Sequence, residues 1–241
     1  VAANEVDTTT TGGDKRQRRP RNSLSQRQIL DATMVILGRD GYYGLSIAKL
    51  AKELDCGQMS LYSHIRDKKH LLDLVIQEIF QDVYVPRPDA PWIDEIAEQM
   101  QSLRVSLLRH PGLGRIVAEG MIRSSAIDRF LEAGLATVRE EVVDEELTVR
   151  VFFTALVFTL GSVVHESARA HARPRSTYVD RWYERESEWP EGAYPQMRQL
   201  MPHIITIADD VQFDFAFAAL LQGLRDVAAK ATAGAAPAAK R

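Results

Sequence analysis

Six side chains suited to hydrogen bonding or soft contact crowd one short stretch: Gln58, Met59, Ser60, Tyr62, Ser63 and His64, with Lys68 just beyond. Their chemistry fits duplex DNA. A glutamine pairs in two places with adenine, a serine reaches most bases, and a methionine touches a thymine methyl. Tyr62, His64 and Lys68 suit phosphates, contacts that fix position without reading sequence. Catalytic arrangements are missing. There is no glycine-rich phosphate loop and no Gly-x-Ser-x-Gly turn. His165-Glu166 with His171 departs from the zinc-protease pattern, because the second histidine comes too late. Cys56 is the only cysteine, so no internal disulfide and no cysteine-based metal site can form. The chain reads as a non-enzyme, with no metal and no cofactor assigned.

Such side chains need elements that aim them. Ser46 is a good N-cap for a helix of about Ser46 to Leu54, with Ile47, Leu50, Ala51 and Leu54 as its apolar stripe. Asp55-Cys56-Gly57 is a three-residue break, with Gly57 available for a left-handed conformation. The next helix, about Gln58 to His64, buries Leu61 and, just beyond, Ile65. Two short helices joined this way form a helix-turn-helix. Ala51 is small where the two must cross. Before them, a helix from Leu24 carries Ile29, Thr33, Ile36 and Leu37 on one face and is expected to end at Gly38 and Gly41. After them, Asp67 caps a long helix carrying Leu71, Leu72, Val75, Ile76, Ile79, Phe80 and Val83. Its first turn offers N–H groups to a phosphate. Lys68 and Lys69 oppose the helix dipole there, at a cost of a few tenths of a kcal/mol each. Spacing alone leaves a plain helical hairpin with a polar outer face as an alternative.

The remainder is predicted all-α. Pro86, Pro88 and Pro91 mark a hinge. Helical patterns follow over about Trp92 to His110, Leu113 to Gly120, Ser124 to Glu141, Glu146 to Arg173, Gln196 to Ala208 and Val211 to Lys230. Residues Pro174 to Gly192 show few helix-face repeats and read as a loop. Residues 1–21 read as a disordered basic tail able to reach a minor groove, and 231–241 as a disordered tail. Between lie a DNA-binding domain with its connecting helix over 22–84 and a ligand-binding and dimerisation domain over 85–230. Residues 14–70 hold 12 Lys and Arg against 6 Asp and Glu, whereas 71–241 hold 18 against 25. A basic first part suggests nucleic acid, although a solvated basic tail would give a similar balance. The helix from Glu146 is apolar nearly all round, and the last one carries Phe213, Phe215, Phe217, Leu220, Leu221 and Leu224 beside small residues. The pair fits a four-helix dimer interface, with a monomer core as the alternative. No apolar, uncharged run is long enough for a membrane span, and no secretory signal is visible at the start. A cytoplasmic location fits best.

Leu45 to Leu54 followed by Asp55 to Lys68, with its Leu61-Tyr62-x-His64 centre and Lys68-x-x-Leu71-Leu72, resembles the DNA-binding domain of the tetracycline repressor family. Leu107-Leu108-Arg-His110, Phe158-Thr-Leu-Gly161 and Phe215-x-x-x-Leu-Leu-x-Gly223-Leu224 resemble the regulatory domain of the tetracycline repressor's own branch. The resemblance implies a homodimer on a palindromic operator, released when a small molecule tilts the connecting helix. It places DNA contacts at Ser46, Gln58, Met59, Ser60, Tyr62, His64 and Lys68, to which the basic Lys49 is added. It places ligand contacts at Tyr84, Gln99, Leu103, Met121, Arg123 and His165. Arg104 and His110, by their own chemistry, suit an anionic effector, with a solvated surface role as the alternative. Two positions depart from that branch. Ala48 stands where an arginine reads a base, which implies a different operator. Ala118 stands where a histidine binds metal, which argues against a tetracycline–magnesium effector. An activator or global regulator on the same scaffold, and a helical protein-binding module, remain alternative functions.

Overall fold

The computed structural model of the chain describes residues 24–87, 89–110, 112–171, 175–207 and 210–235. Among them run α1 (Gln26–Gly44), α2 (Ile47–Glu53), α3 (Gln58–Tyr62), α4 (Lys68–Phe80), α5 (Trp92–Leu108), α6 (Leu113–Ala118), α7 (Ser125–Arg139), α8 (Glu145–His171), α9 (Arg175–Ser187), α10 (Pro195–Ile204) and α11 (Asp210–Ala235). No strand occurs among the described residues, so the fold is all-α, as expected. The expected basic tail of residues 1–21 lies outside them.

The first three helices form a head on the start of α4. A capping box opens α1: Ser25 Oγ accepts from the Gln28 N–H at 3.2 Å, and Gln28 Oε1 accepts from the Ser25 N–H at 2.9 Å. Ile29, Ile36 and Leu37 are fully buried on its inner face. The helix runs through Gly38, contrary to the expected stop, and breaks only at Gly41, whose φ is 70°. Gly38 has another use. A Cβ on Gly112, in the α5–α6 turn, would stand 2.7 Å from the Gly38 α-carbon. Two glycines therefore let the backbone of α1 approach that turn closely.

In the second half, α8 is the central rod, packed on α5, α6, α7 and α11. By length and composition it could cross a bilayer, but Val151, Phe152, Ala155 and Val163 are buried against those neighbours. Its outer stripe, Val149, Phe153 and Val157, is exposed. On α11, Phe217 stacks on Phe158 of α8 and Phe213 lies tilted against it, while Val211 and Phe215 face outward, more than two-thirds exposed.

Two sequence expectations fail here. The loop expected over 174–192 contains α9. That helix is rich in charged residues, and its stripe of Tyr178, Val179, Trp182 and Tyr183 spans little more than one turn, too short to announce a helix. Pairs along the helix support it instead: Tyr178 meets Trp182 edge-on at 6.4 Å, and the Arg185 guanidinium lies 5.5 Å from the Trp182 ring. The tail expected from residue 231 continues α11 as far as Ala235; residues 236–241 lie outside the described residues.

Candidate nucleic-acid interface and effector cavity

The helix-turn-helix is assembled from local hydrogen bonds. Ser46 Oγ accepts from the Lys49 N–H at 3.2 Å and starts α2. At the other end, the Cys56 N–H donates to the Ala51 carbonyl at 3.0 Å and the Asp55 N–H to the Lys52 carbonyl at 3.3 Å. Those two bonds define a Schellman stop, which needs a left-handed residue just after the C-cap. Asp55 takes that conformation, with φ 49°. Gly57, expected to supply it, sits at φ −75° as the N-cap of α3. The stop fixes where the left-handed residue falls, and aspartate tolerates the region better than most side chains.

α3 shows two sides. Leu61 and, one turn on, Ile65 are buried against α2, where Leu50 and Ala51 are also inside. Gln58, Met59, Ser60, Tyr62, Ser63 and His64 all face solvent, Met59 at 81% exposure. The structure therefore brings Gln58, Met59, Ser60, Tyr62 and His64 to one surface. Ser46 and Lys49 lie at the start of α2. Lys49 is engaged: its Nζ is 2.9 Å from Asp40, which also holds Arg39, and Arg39 reaches Glu53. Lys49 and then Arg39 hold the Asp40 carboxyl below its ordinary range. Lys52, Arg66 and Lys69 have no carboxylate partner among the described residues. Surface pairs of this kind add little stability, so these cations remain available to phosphates.

The start of α4 is built differently from the expectation. Asp67 Oδ1 accepts the His70 N–H at 2.7 Å, and His70 Nδ1 accepts the Arg66 N–H at 3.1 Å. A carboxylate thus already occupies this helix end, offsets Lys68 and Lys69 against the dipole, and disfavours a phosphate on the same N–H group. The Lys68 ammonium turns back to the Tyr42 carbonyl at 2.9 Å and lies 4.4 Å from the Tyr42 ring centre. Burial there lowers its pKa.

A cavity of about 640 Å3 lies where the end of α4 meets α5 and α7, walled by Phe80, Val83, Tyr84, Gln99, Phe130 and Ala133. Phe80 and Phe130 meet edge-on at 5.6 Å. The Tyr84 hydroxyl donates to Glu95 at 2.6 Å, and Glu95 also accepts from the Arg87 N–H at 2.6 Å. Those donors, Tyr84 first, hold the buried Glu95 carboxyl below its ordinary range, and the bond to Glu95 raises the Tyr84 pKa. Gln99 is fully buried; its Nε2 donates to the Phe130 carbonyl at 3.0 Å, while its Oε1 has no partner among the described residues. A larger groove of about 710 Å3 lies between α5 and α11 under a rim of Asp82, Asp94 and Glu98. The smaller cavity is the better effector candidate. Its aromatic and apolar walls share the lining with Gln77, Gln81, Asp128, Arg129 and Glu132, and α4, which ends on it, leads straight to the head.

The sequence-derived ligand set divides. Tyr84 and Gln99 share the cavity. Leu103 is core. Arg104 is 2% exposed, donates to Glu166 at 2.6 Å and lies 4.3 Å from the Phe213 ring. Met121 packs partly buried on the core, and His165 is exposed. Arg123 lines a polar crevice beside Arg66 and Lys69. Sequence reasoning missed Phe80 and Phe130 as cavity walls and Glu95 as the anchor of Tyr84. A signal existed for the last. Glu95 and Gln99 fall within the apolar stripe of Ile93, Ile96, Met100 and Leu103, where a polar residue needs a partner.

An all-helical chain with an exposed recognition helix and a continuous helix leading to a second, cavity-bearing half is a helix-turn-helix DNA-binding regulator. Residues 29–75 match the family described as "Bacterial regulatory proteins, tetR family", and residues 85–228 match "Tetracyclin repressor-like, C-terminal domain". The chain belongs to the tetracycline repressor family of transcriptional regulators. An HTH-type transcriptional regulator of Saccharopolyspora erythraea is 32% identical over 196 residues, 75% of this chain and 79% of that protein. The HTH-type transcriptional repressor DrrR1 of Streptomyces coeruleorubidus is 25% identical over 235 residues, 93% and 86% of the two chains. Apo ActR from Streptomyces coelicolor is similar in structure, with TM-score 0.66 and 26% identity over 86% of this chain and 98% of that one. ActR has also been solved in complex with actinorhodin.

Proposed function

We propose that this chain is a cytoplasmic transcriptional repressor that binds a palindromic operator as a homodimer and releases it when a small molecule fills the cavity between α4, α5 and α7. The carrying observation is α3. Its inner residue Leu61, with Ile65 just beyond the helix, is buried while Gln58, Met59 and Ser60, at its N-terminal end, are exposed. That end of a recognition helix meets base edges in the major groove. In this reading Gln58, Met59 and Ser60 contact bases. Ser46, Lys49, Tyr62, His64 and Lys68 position the backbone.

Dimerisation is supported by two uncovered apolar stripes on adjacent helices, Val149, Phe153 and Val157 of α8 with Val211 and Phe215 of α11. Contiguous exposed apolar surface marks an association face. A two-fold dimer would set two copies of α3 about one DNA turn apart. Release is supported by the cavity's position. A molecule wedged between Phe80 and Phe130 displaces the end of α4, and α4 carries the head. The aromatic walls, together with ActR's complex with actinorhodin, favour a largely apolar, aromatic effector of which Tyr84 and Gln99 are the polar contacts. The sign of regulation follows the repressor DrrR1. Selection from random duplex DNA by the purified protein tests the reading. An enriched palindrome with half-sites one turn apart supports it, and no enrichment at low salt opposes it.

A further inference from the structure

We infer that Tyr43 is an operator-backbone contact, its hydroxyl donating to a phosphate oxygen beside the groove that α3 enters; this rests on the DNA-binding reading above. Three observations converge on this residue.

The first is exposure. Tyr43 is 84% exposed, more than any other large apolar or aromatic side chain among the described residues, and its hydroxyl has no hydrogen-bond partner among them. The second is rigidity. The Gly41 break redirects the chain, and the Leu45 N–H closes on the Tyr42 carbonyl at 3.4 Å. Lys68 grips the same carbonyl and covers the Tyr42 ring. The Tyr43 ring then rests edge-on against Tyr42, 5.3 Å between centres and at 90°. The backbone that carries Tyr43 is therefore fixed, which limits the freedom lost on binding, while the ring itself stays open to solvent. The third is place. Tyr43 is three residues ahead of Ser46, the N-cap of α2, and packs on Tyr42, whose ring and carbonyl hold Lys68, the first residue of α4. In a helix-turn-helix the helix before the recognition helix crosses the backbone, and Tyr43 lies just ahead of that helix, α2.

The chemistry sets the test. A neutral O–H positions but does not read bases, and it displaces no counterion. The full chain and its selected operator are compared for wild type and Tyr43→Phe across a salt series. The expected result is a Kd several-fold weaker for Tyr43→Phe, equally so on operators altered at single base pairs, with the log Kd against log salt slope unchanged. Because only an exposed hydroxyl is removed, the melting temperature should not move. Tyr43→Phe binding as tightly as wild type would overturn the inference, as would a loss confined to one base pair, which would make Tyr43 a reader of bases. A wild-type chain that selects no operator would instead defeat the DNA-binding reading itself.

Discussion

The head and the regulatory half use polar residues in opposite ways. In the head, the polar groups that start and stop helices are short-range and exposed: Ser25, Ser46 and Asp67 each bond three residues on, Asp55 sets a stop, and the Gln58 to His64 surface faces water, with longer links such as Lys68 to Tyr42 the exception. In the regulatory half they are buried and long-range. Gln99 reaches Phe130, Arg104 reaches Glu166, and Ser124 donates to Asp73 at 2.5 Å, across 31, 62 and 51 residues of sequence. Local caps specify a small, rigid element that holds its shape around an open reading surface. Buried polar links tie separate helices together, so the state of the cavity and the packing of α4, α5, α7 and α8 are one problem. Reading is separated from folding in the head, and binding is fused with folding in the other half.

That contrast can be broken from its strongest side downward. Arg104→Met strips the guanidinium from a buried pair and leaves Glu166 without it, so thermal or urea unfolding should show a loss of about 3–5 kcal/mol. In the head, Arg39→Ala, at an exposed pair, should change stability by no more than about 0.5 kcal/mol. Similar losses at the two sites would erase the distinction. Glu95 should make stability pH-dependent. Its folded pKa lies below the ordinary 4.5, so its contribution is complete above that value and fades as pH falls through the folded one. Melting temperatures of wild type and Glu95→Gln should therefore differ near neutral pH and converge in acid; a gap that widens in acid would reverse the assignment.

Smaller effects sharpen the head. Ser46→Ala removes the cap of α2 and should cost about 1 kcal/mol in denaturant unfolding. Asp55→Gly relieves a left-handed non-glycine residue and should stabilise the chain by about 0.5 kcal/mol. Destabilisation by Asp55→Gly would mean that the aspartate side chain contributes more to the turn than its backbone conformation costs.

How far the sequence could be read follows from the same contrast. Ser46, Asp67 and the Leu50, Leu61 and Ile65 stripe announced themselves because caps and helix faces are local patterns. Asp55 and Gly57 were exchanged because glycine is the commoner left-handed residue, and only the Schellman bonds reveal where the stop falls. Gly38 looked like a helix end, but its reason is Gly112, far away in sequence. α9 escapes notice because its stripe of Tyr178, Val179, Trp182 and Tyr183 covers little more than one turn of a strongly charged segment. Tyr84 and Gln99 do meet in one cavity, whereas Arg104 serves as a core tie, and no sequence spacing announces that Glu166 waits for it. The cavity walls Phe80 and Phe130 read as ordinary core residues, because a cavity is a gap between faces and leaves no mark on either.

The most direct measurement is a parallel selection from random duplex DNA by wild type and Gln58→Ala, read by sequencing. If α3 reads the groove, wild type yields a palindrome and Gln58→Ala yields the same palindrome with preference relaxed at one symmetric pair of positions. Relaxation of one base pair corresponds to about 1–3 kcal/mol of lost discrimination. The same preferences from both proteins at every position would contradict the assignment of base reading to the exposed end of α3.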